Sequence, residues 1–295
     1  MKILILGSKG QLGTDCCNIL CKENDTLGCD IRQFDIADPE SVDSYISGAR
    51  PEVIINCAAY TAVDACETER SLAWKVNAEG PKNLAMAARK INSRLIHIST
   101  DYVFDGRRPV PQPYVEEDPT NPLSQYGLSK LAGEKYIADY TVDYVILRTA
   151  WLYSGYGKNF LKTMLRLSLA DPKRELKVVD DQYGSLTWSH TLALQIQRLL
   201  HSEMTGIVHA TSDGYSTWYQ AARYFLEAMQ VPHTLIPCTT AEYPTPAHRP
   251  ANSILANRRL DEAGISSFVS WQEDVDTFVA IYRESLLAET RAALK

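Results

Sequence analysis

Tyr126 and Lys130 stand four residues apart in Tyr126-Gly-Leu-Ser-Lys130, a spacing that puts both side chains on one face of a helix. The pairing has a chemical use. A phenol with an ordinary pKa near ~10 exchanges protons poorly at neutral pH, and an adjacent ammonium stabilises its phenolate. The same ammonium can donate to the ribose hydroxyls of a nicotinamide nucleotide. By itself Tyr-x3-Lys is equally an amphipathic surface pair. Thr100, in Ile98-Ser-Thr-Asp101, is by itself an ordinary strand-end residue. In order behind a phosphate-binding loop, Thr100, Tyr126 and Lys130 read as a catalytic set.

That loop is Gly7-Ser-Lys-Gly10-Gln-Leu-Gly13, directly after the first apolar strand and opening a helix. Gly7 and Gly10 allow a tight turn and close approach of a diphosphate, Gly13 lets helix pack on strand, and the helix N-terminus favours negative charge. In this context the glycines predict a dinucleotide, NADPH or NADH. Asp30 closes the second strand, where a carboxylate can accept from the adenosine ribose hydroxyls; a strand-ending turn is the alternative. Arg32 is close enough to meet a 2′-phosphate, so the choice of cofactor stays open. Asp35-Ile36 either borders the adenine or leads into a helix starting at Pro39, with Asp38 as its N-cap. Arg249, before a proline, either clamps a diphosphate bidentately or makes a structural ion pair.

The elements that must position these residues alternate. Strands are expected at Lys2–Leu6, Thr26–Asp30, Glu52–Cys57, Arg94–Ser99 and Asp143–Arg148, with helices near Gly10–Lys22, Pro39–Ser47, Ser71–Lys90 and Pro122–Tyr140. Val53-Ile-Ile and Leu95-Ile-His-Ile run apolar without alternating, as strands buried on both faces do. The expected fold is α/β: a Rossmann-type doubly wound parallel sheet with a smaller C-terminal substrate-binding region. The division falls at 1–150 for the NAD(P)-binding part and 151–295 for the mainly substrate-binding part, the two partly interleaved. Beyond Trp151 the reading thins to strands at Lys177–Val179 and Ile207–His209 and helices at Thr217–Met229 and Trp271–Leu287. Pro232–Pro250, with its Tyr243-Pro-Thr-Pro-Ala-His-Arg-Pro run, reads as loop.

Composition narrows the class. With 45% hydrophobic and 22% charged residues over 295 positions, the chain is an ordinary soluble globular one. A net charge of −6 gives no sign of nucleic-acid or anionic-membrane binding. The apolar run at Ile3–Leu6 is too short for a signal peptide or a membrane span. The seven cysteines, an odd number without a CxxC pair, suggest reduced thiols and a cytoplasmic setting. The six histidines never fall at ligand-like spacing. His97, inside a buried strand pattern, reads as hydrogen-bonded core.

Longer blocks carry a resemblance. Asn56-Cys-Ala-Ala-Tyr-Thr-Ala-Val-Asp64, Ser99-Thr-Asp-Tyr-Val-Phe-Asp-Gly106 and Tyr126-Gly-Leu-Ser-Lys-Leu-Ala-Gly-Glu134 are followed by Arg148-Thr-Ala-Trp-Leu-Tyr153, Asn159-Phe-Leu-Lys-Thr-Met-Leu-Arg166, Asp181-Gln-Tyr-Gly184 and Arg249-Pro-Ala-Asn-Ser253. In these blocks, over nearly its whole length, the chain resembles the extended short-chain dehydrogenase/reductase superfamily and, within it, the dTDP-4-dehydrorhamnose reductases. The resemblance implies NAD(P)H-dependent reduction of a 4-keto nucleotide sugar for cell-envelope polysaccharide synthesis, with Tyr126 as proton donor beside Thr100 and Lys130. It implies that Ala59-Tyr60-Thr61 line the cofactor beside Gly10-Gln11-Leu12, Asp30 and Asp35-Ile36. It places Thr100, Asp101 and Trp151 against the sugar nucleotide, and the apolar face of Trp151 suits a deoxysugar.

Two positions depart from the pattern. Relatives bridged by Mg2+ use glutamates where this chain has Asp15 and His190, so no such metal is expected, and the chain is expected to be a monomer or weak homodimer. Leu186 stands where the family usually has proline. Two other functions fit the fold. A sugar-nucleotide dehydratase or epimerase would carry a second carboxylate after Asp101, where Tyr102 stands instead. A non-catalytic, cofactor-binding regulatory subunit, like those of methionine adenosyltransferase, would not need Thr100, Tyr126 and Lys130 intact.

Overall fold

The five strands expected in the first half lie side by side: β1 Lys2–Leu6, β2 Asp25–Cys29, β3 Val53–Asn56, β4 Arg94–Thr100 and β5 Tyr144–Thr149. The strand Gly206–His209 joins them beyond β5, giving the order Gly206–His209, β5, β4, β3, β1, β2, with every pairing parallel. The computed structural model describes residues 1–294. The helices are α1 Gln11–Leu20, α2 Pro39–Ala49, α3 Arg70–Trp74, α4 Gly80–Ile91, α5 Gln125–Tyr140, α6 Phe160–Ala170, α7 Ser189–Leu200, α8 Trp218–Ala228, α9 Arg258–Glu262 and α10 Trp271–Ala293. This is the Rossmann-like, doubly wound arrangement the alternation predicts.

Both sheet faces are covered, which is why the strands read apolar throughout. Ile3, Ile5, Ile55, Ile96 and Leu147 pack with residues of α1 and α7. Leu4, Leu6, Ile54, Leu95 and Ile146 pack with residues of α2 and α4. Beyond β5 a second core gathers Tyr153, Leu161, Trp188, Phe225 and Phe278 among α6, α8 and α10. Local chemistry sets several helix starts. Asp38 accepts from the Glu40 N–H with Pro39 at the first turn of α2, Ser124 caps α5, and Thr217 and Gln220 form a capping box on α8.

Three expectations change. The helix expected over Ser71–Lys90 is interrupted by a π turn at Lys75–Glu79, just before Gly80-Pro81, where proline has no N–H to continue the ladder. The helix expected from Pro122 starts at Gln125, after the Ser124 cap. The stretch Pro232–Pro250 is not all loop: Thr234–Cys238 pairs in parallel with Glu175–Val179, Pro237 lying opposite Val178. That sheet has two strands, so each is an edge and the missing N–H is tolerated. The run from Tyr243 to Pro250 is irregular, as its prolines require.

Candidate active site

The strand order reverses about β1: β2 lies on one side and β3 on the other. The crevice at such a reversal, outside the carboxyl ends of the strands, is where open α/β sheets hold ligands. Two loops meet there. Gly7 adopts φ +69°, and a Cβ on it would come within 2.9 Å of the Ala58 nitrogen after β3. A Cβ on Gly13 would lie 2.1 Å from the Gly7 carbonyl oxygen. Only glycine permits this turn and this approach of α1. Gly10 is the N-cap of α1 with no side-chain cap, leaving the helix N-terminus for an anion.

From this loop a cavity of about 690 Å3 runs along the sheet edge. Gly7, Gly10, Gln11, Leu12, Gly13, Asp30, Asp35, Ile36, Ala59 and Thr61 line one end. Thr100, Asp101, Tyr126, Lys130, Trp151 and Arg249 line the other. Tyr60 is the exception among the expected residues. It does not line the cavity; its hydroxyl donates to Glu69 Oε2 at 2.8 Å, and Asn77 pins its backbone N–H at 2.8 Å and its carbonyl at 3.1 Å. Asp30 accepts from the Arg32 N–H at 2.8 Å and pairs with Lys9 at 2.9 Å. Lys9 holds its carboxyl below the ordinary carboxylate value.

At the other end, Thr100 donates to Asp101 Oδ1 at 3.0 Å, and the second Asp101 oxygen is buried without a partner. Burial pushes Asp101 up to about 6. Burial likewise raises the Tyr126 phenol above its ordinary value, so the expected depression by Lys130 does not occur. The reason is geometric. Lys130 Nζ is turned to the Ile98 carbonyl at 2.6 Å and to His97 Nε2 at 3.3 Å, and burial pulls its own value down to about 8. Tyr126 is fully protonated at neutral pH, the state a proton donor needs. Tyr102 packs edge-on against it, with ring centroids 5.4 Å apart. Arg249 donates to the Tyr102 hydroxyl at 3.2 Å and pairs with Asp64 at 2.9 Å. The ion pair is thus present, and Arg249 also borders the cavity.

Trp151 holds a left-handed φ of +48°, a costly conformation for a bulky residue. It stacks on Trp218 at 3.7 Å, and Phe160 meets Trp218 edge-on at 4.7 Å. Trp218, Phe160 and Leu186 also line the cavity, and sequence reading places none of the three there. A signal was available for Phe160, which follows Asn159, the N-cap of α6. Trp218 offers none, since only folding brings α8 to Trp151. Asp15 is buried and accepts from Ser154 at 3.2 Å and from Ser189; among the described residues no group of His, Cys, Asp and Glu side chains is arranged to hold a metal.

A glycine loop at the switch point of a parallel sheet, facing a Tyr/Lys helix across one cavity, defines a short-chain dehydrogenase/reductase. The chain belongs to the RmlD substrate binding domain family, whose profile matches residues 1–284. It is 38% identical over 279 residues to the dTDP-4-dehydrorhamnose reductase of Burkholderia thailandensis, covering 89% of this chain and 92% of that one. A crystal structure of a dTDP-4-dehydrorhamnose reductase from Clostridium acetobutylicum superposes with a TM-score of 0.92 at 39% identity, covering 96% of this chain and 100% of the other. That of the Bacillus anthracis enzyme in complex with NADP superposes with a TM-score of 0.91 at 37% identity, covering 95% and 98%.

Proposed function

We propose that the protein reduces the 4-keto group of dTDP-4-dehydro-L-rhamnose to dTDP-L-rhamnose, using NADPH or NADH, as a step toward cell-envelope polysaccharide. The observation that carries this reading is the single cavity joining the Gly7–Gly13 loop to Thr100, Tyr126 and Lys130. The cradle fits a dinucleotide: side chains at Gly7 and Gly13 would collide with the backbone of Ala58 and of Gly7 itself, so the glycines keep the tight strand–helix turn against which a diphosphate would lie. Gly10, Gln11 and Leu12 would meet the diphosphate, with Asp30, Asp35 and Ile36 around the adenosine and Ala59 and Thr61 along the middle. Lys9 and Arg32, both exposed beside Asp30, suit a 2′-phosphate.

A reduced nicotinamide bound there supplies the hydride that attacks the sugar C4. Tyr126 delivers its proton to the oxygen as the carbonyl becomes an alcohol, and Thr100 donates a hydrogen bond to that oxygen while charge develops. Lys130 orients the nicotinamide ribose. Trp151, braced by Trp218, offers an apolar face to the deoxysugar, while Asp101 and Arg249 contact the sugar nucleotide. Tyr102 occupies the place where a dehydratase would need its second carboxylate, and its hydroxyl is engaged by Arg249.

The division into a cofactor part, 1–150, and an interleaved substrate part, 151–295, belongs to the same reading, as do a cytoplasmic location and a monomer or weak homodimer. All seven cysteines are free, which suits a reducing compartment, and among the described residues no helix is long and apolar enough to cross a membrane. The test is loss of absorbance at 340 nm when dTDP-4-dehydrorhamnose is added to protein with NADPH and, separately, NADH. Stoichiometric loss with either supports the reading; binding of cofactor without any loss sinks it.

A further inference from the structure

Beneath Lys130 lies a buried hydrogen-bond chain whose direction is fixed by the backbone. The Ala58 N–H donates to Asn56 Oδ1 at 3.1 Å. This settles which end of the amide is which, because the reverse orientation would set two donors against each other. Asn56 Nδ2 therefore faces His97 Nδ1, 3.0 Å away, and that ring nitrogen must accept. Burial keeps the His97 ring neutral, so its one proton sits on Nε2. Nε2 faces Lys130 Nζ at 3.3 Å. An N–H can donate there only to an amine lone pair, since an ammonium has donors alone. Lys130 in turn donates to the Ile98 carbonyl.

We propose that Asn56 and His97 are positioning residues that fix one histidine tautomer and so favour the free-amine form of Lys130. The inference rests on the assignment of Lys130 to the site described above. The other groups around Lys130 do not reverse it. Glu134, one turn along the same helix, is held bidentately by Arg148 of β5 at 3.0 and 2.7 Å and by Ser99 of β4. Tyr126 stays protonated, Asp101 is hydrogen-bonded to Thr100, and the remaining titratable neighbour is the Cys57 side chain after β3. To form the ammonium, His97 must either face it with an N–H or move its proton to Nδ1 and lose Asn56. Lys130 thus changes protonation close to neutral pH, where cofactor and substrate meet it.

NMR of the free protein tests this without any turnover. With 15N-labelled histidine, His97 is expected to carry its proton on Nε2. With 13C-labelled lysine, Lys130 is expected to titrate well below the other lysines. His97→Leu removes the donor, and Asn56→Ala frees the ring to turn its bare Nε2 to the ammonium. Each is expected to raise the proton affinity of Lys130 by about tenfold and to move the alkaline limb of kcat/KM the same way. Should either variant fail to fold, the other and the tautomer in the unmodified protein still decide. A proton on Nδ1, or an unmoved Lys130 titration, overturns the proposal. Failure of the reductase reading shows separately, as NAD(P)H that is never oxidised.

Discussion

At the scale of single residues the cavity separates two acids that burial drives in the same direction. Tyr126 and Asp101 are both pushed up, but at neutral pH the phenol keeps its proton while a carboxyl near 6 is mostly ionised, so of the two only Tyr126 holds a proton for the proposed transfer. Tyr126→Phe keeps the ring and deletes the hydroxyl, so cofactor affinity should hold while kcat falls about 10²–10⁴-fold. Stopped-flow binding and steady-state rates separate the two, and near-normal turnover would remove Tyr126 from the chemistry. Asp101 makes a stability prediction. The folded protein holds its proton more tightly than the unfolded chain, so its contribution is full below about pH 4 and lost as pH rises through about 6. Asp101→Asn, neutral at every pH, should therefore stabilise the protein by about 2–3 kcal/mol at pH 8 and by little at pH 4. Thermal unfolding at both values checks it, and an equal effect at both refutes it.

At the scale of elements, small residues let aromatic ones reach their places. Gly184 lies against the Trp151 ring; a Cβ there would be 2.5 Å from Cε2. Gly184→Ala should push Trp151 off the Trp218 stack, costing about 1–3 kcal/mol in stability by overpacking and raising KM for the sugar nucleotide more than it lowers kcat. Kinetics with saturating cofactor would show this, and an unchanged KM would mean that Trp151 does not touch the sugar. Such contacts mark where sequence reading stops. Tyr126, Lys130 and Gly7–Gly13 were legible because their chemistry lies in local spacing. Trp218 was not, because its partner Trp151 is distant in sequence and only packing joins them. Tyr60 lies outside the cavity for a local reason that spacing does not reveal: its neighbours Ala59 and Thr61 line it, while Asn77 on the π turn fixes the Tyr60 backbone. The helix α7 was overlooked although Leu192, Ile196, Leu199 and Leu200 carry a helical period.

At the scale of the molecule, α7 decides whether the cofactor half can stand alone. A cut after residue 150 would leave β1 to β5 in one piece, with the glycine loop, Tyr126 and Lys130 all present. It would also remove α7, whose Leu192, Ile196 and Leu199 pack against the sheet face of Ile3, Ile5 and Leu147. Burying each of those three side chains stabilises by about 1.5–3 kcal/mol. Their loss would cost about 5–9 kcal/mol, as much as the net stability of many whole domains, about 5–15 kcal/mol. The same cut removes Gly206–His209, exposing the edge of β5, and removes Asn159, which donates to Gln11 in the glycine loop at 3.2 Å. The fragment 1–150 should therefore be unfolded or aggregated and bind no NADPH, while the full chain melts in one cooperative transition. Circular dichroism and calorimetry of both proteins test this together. A fragment with a native-like melt and cofactor binding, or a full chain with two resolved transitions, would show that the interleaved elements are dispensable to the first half.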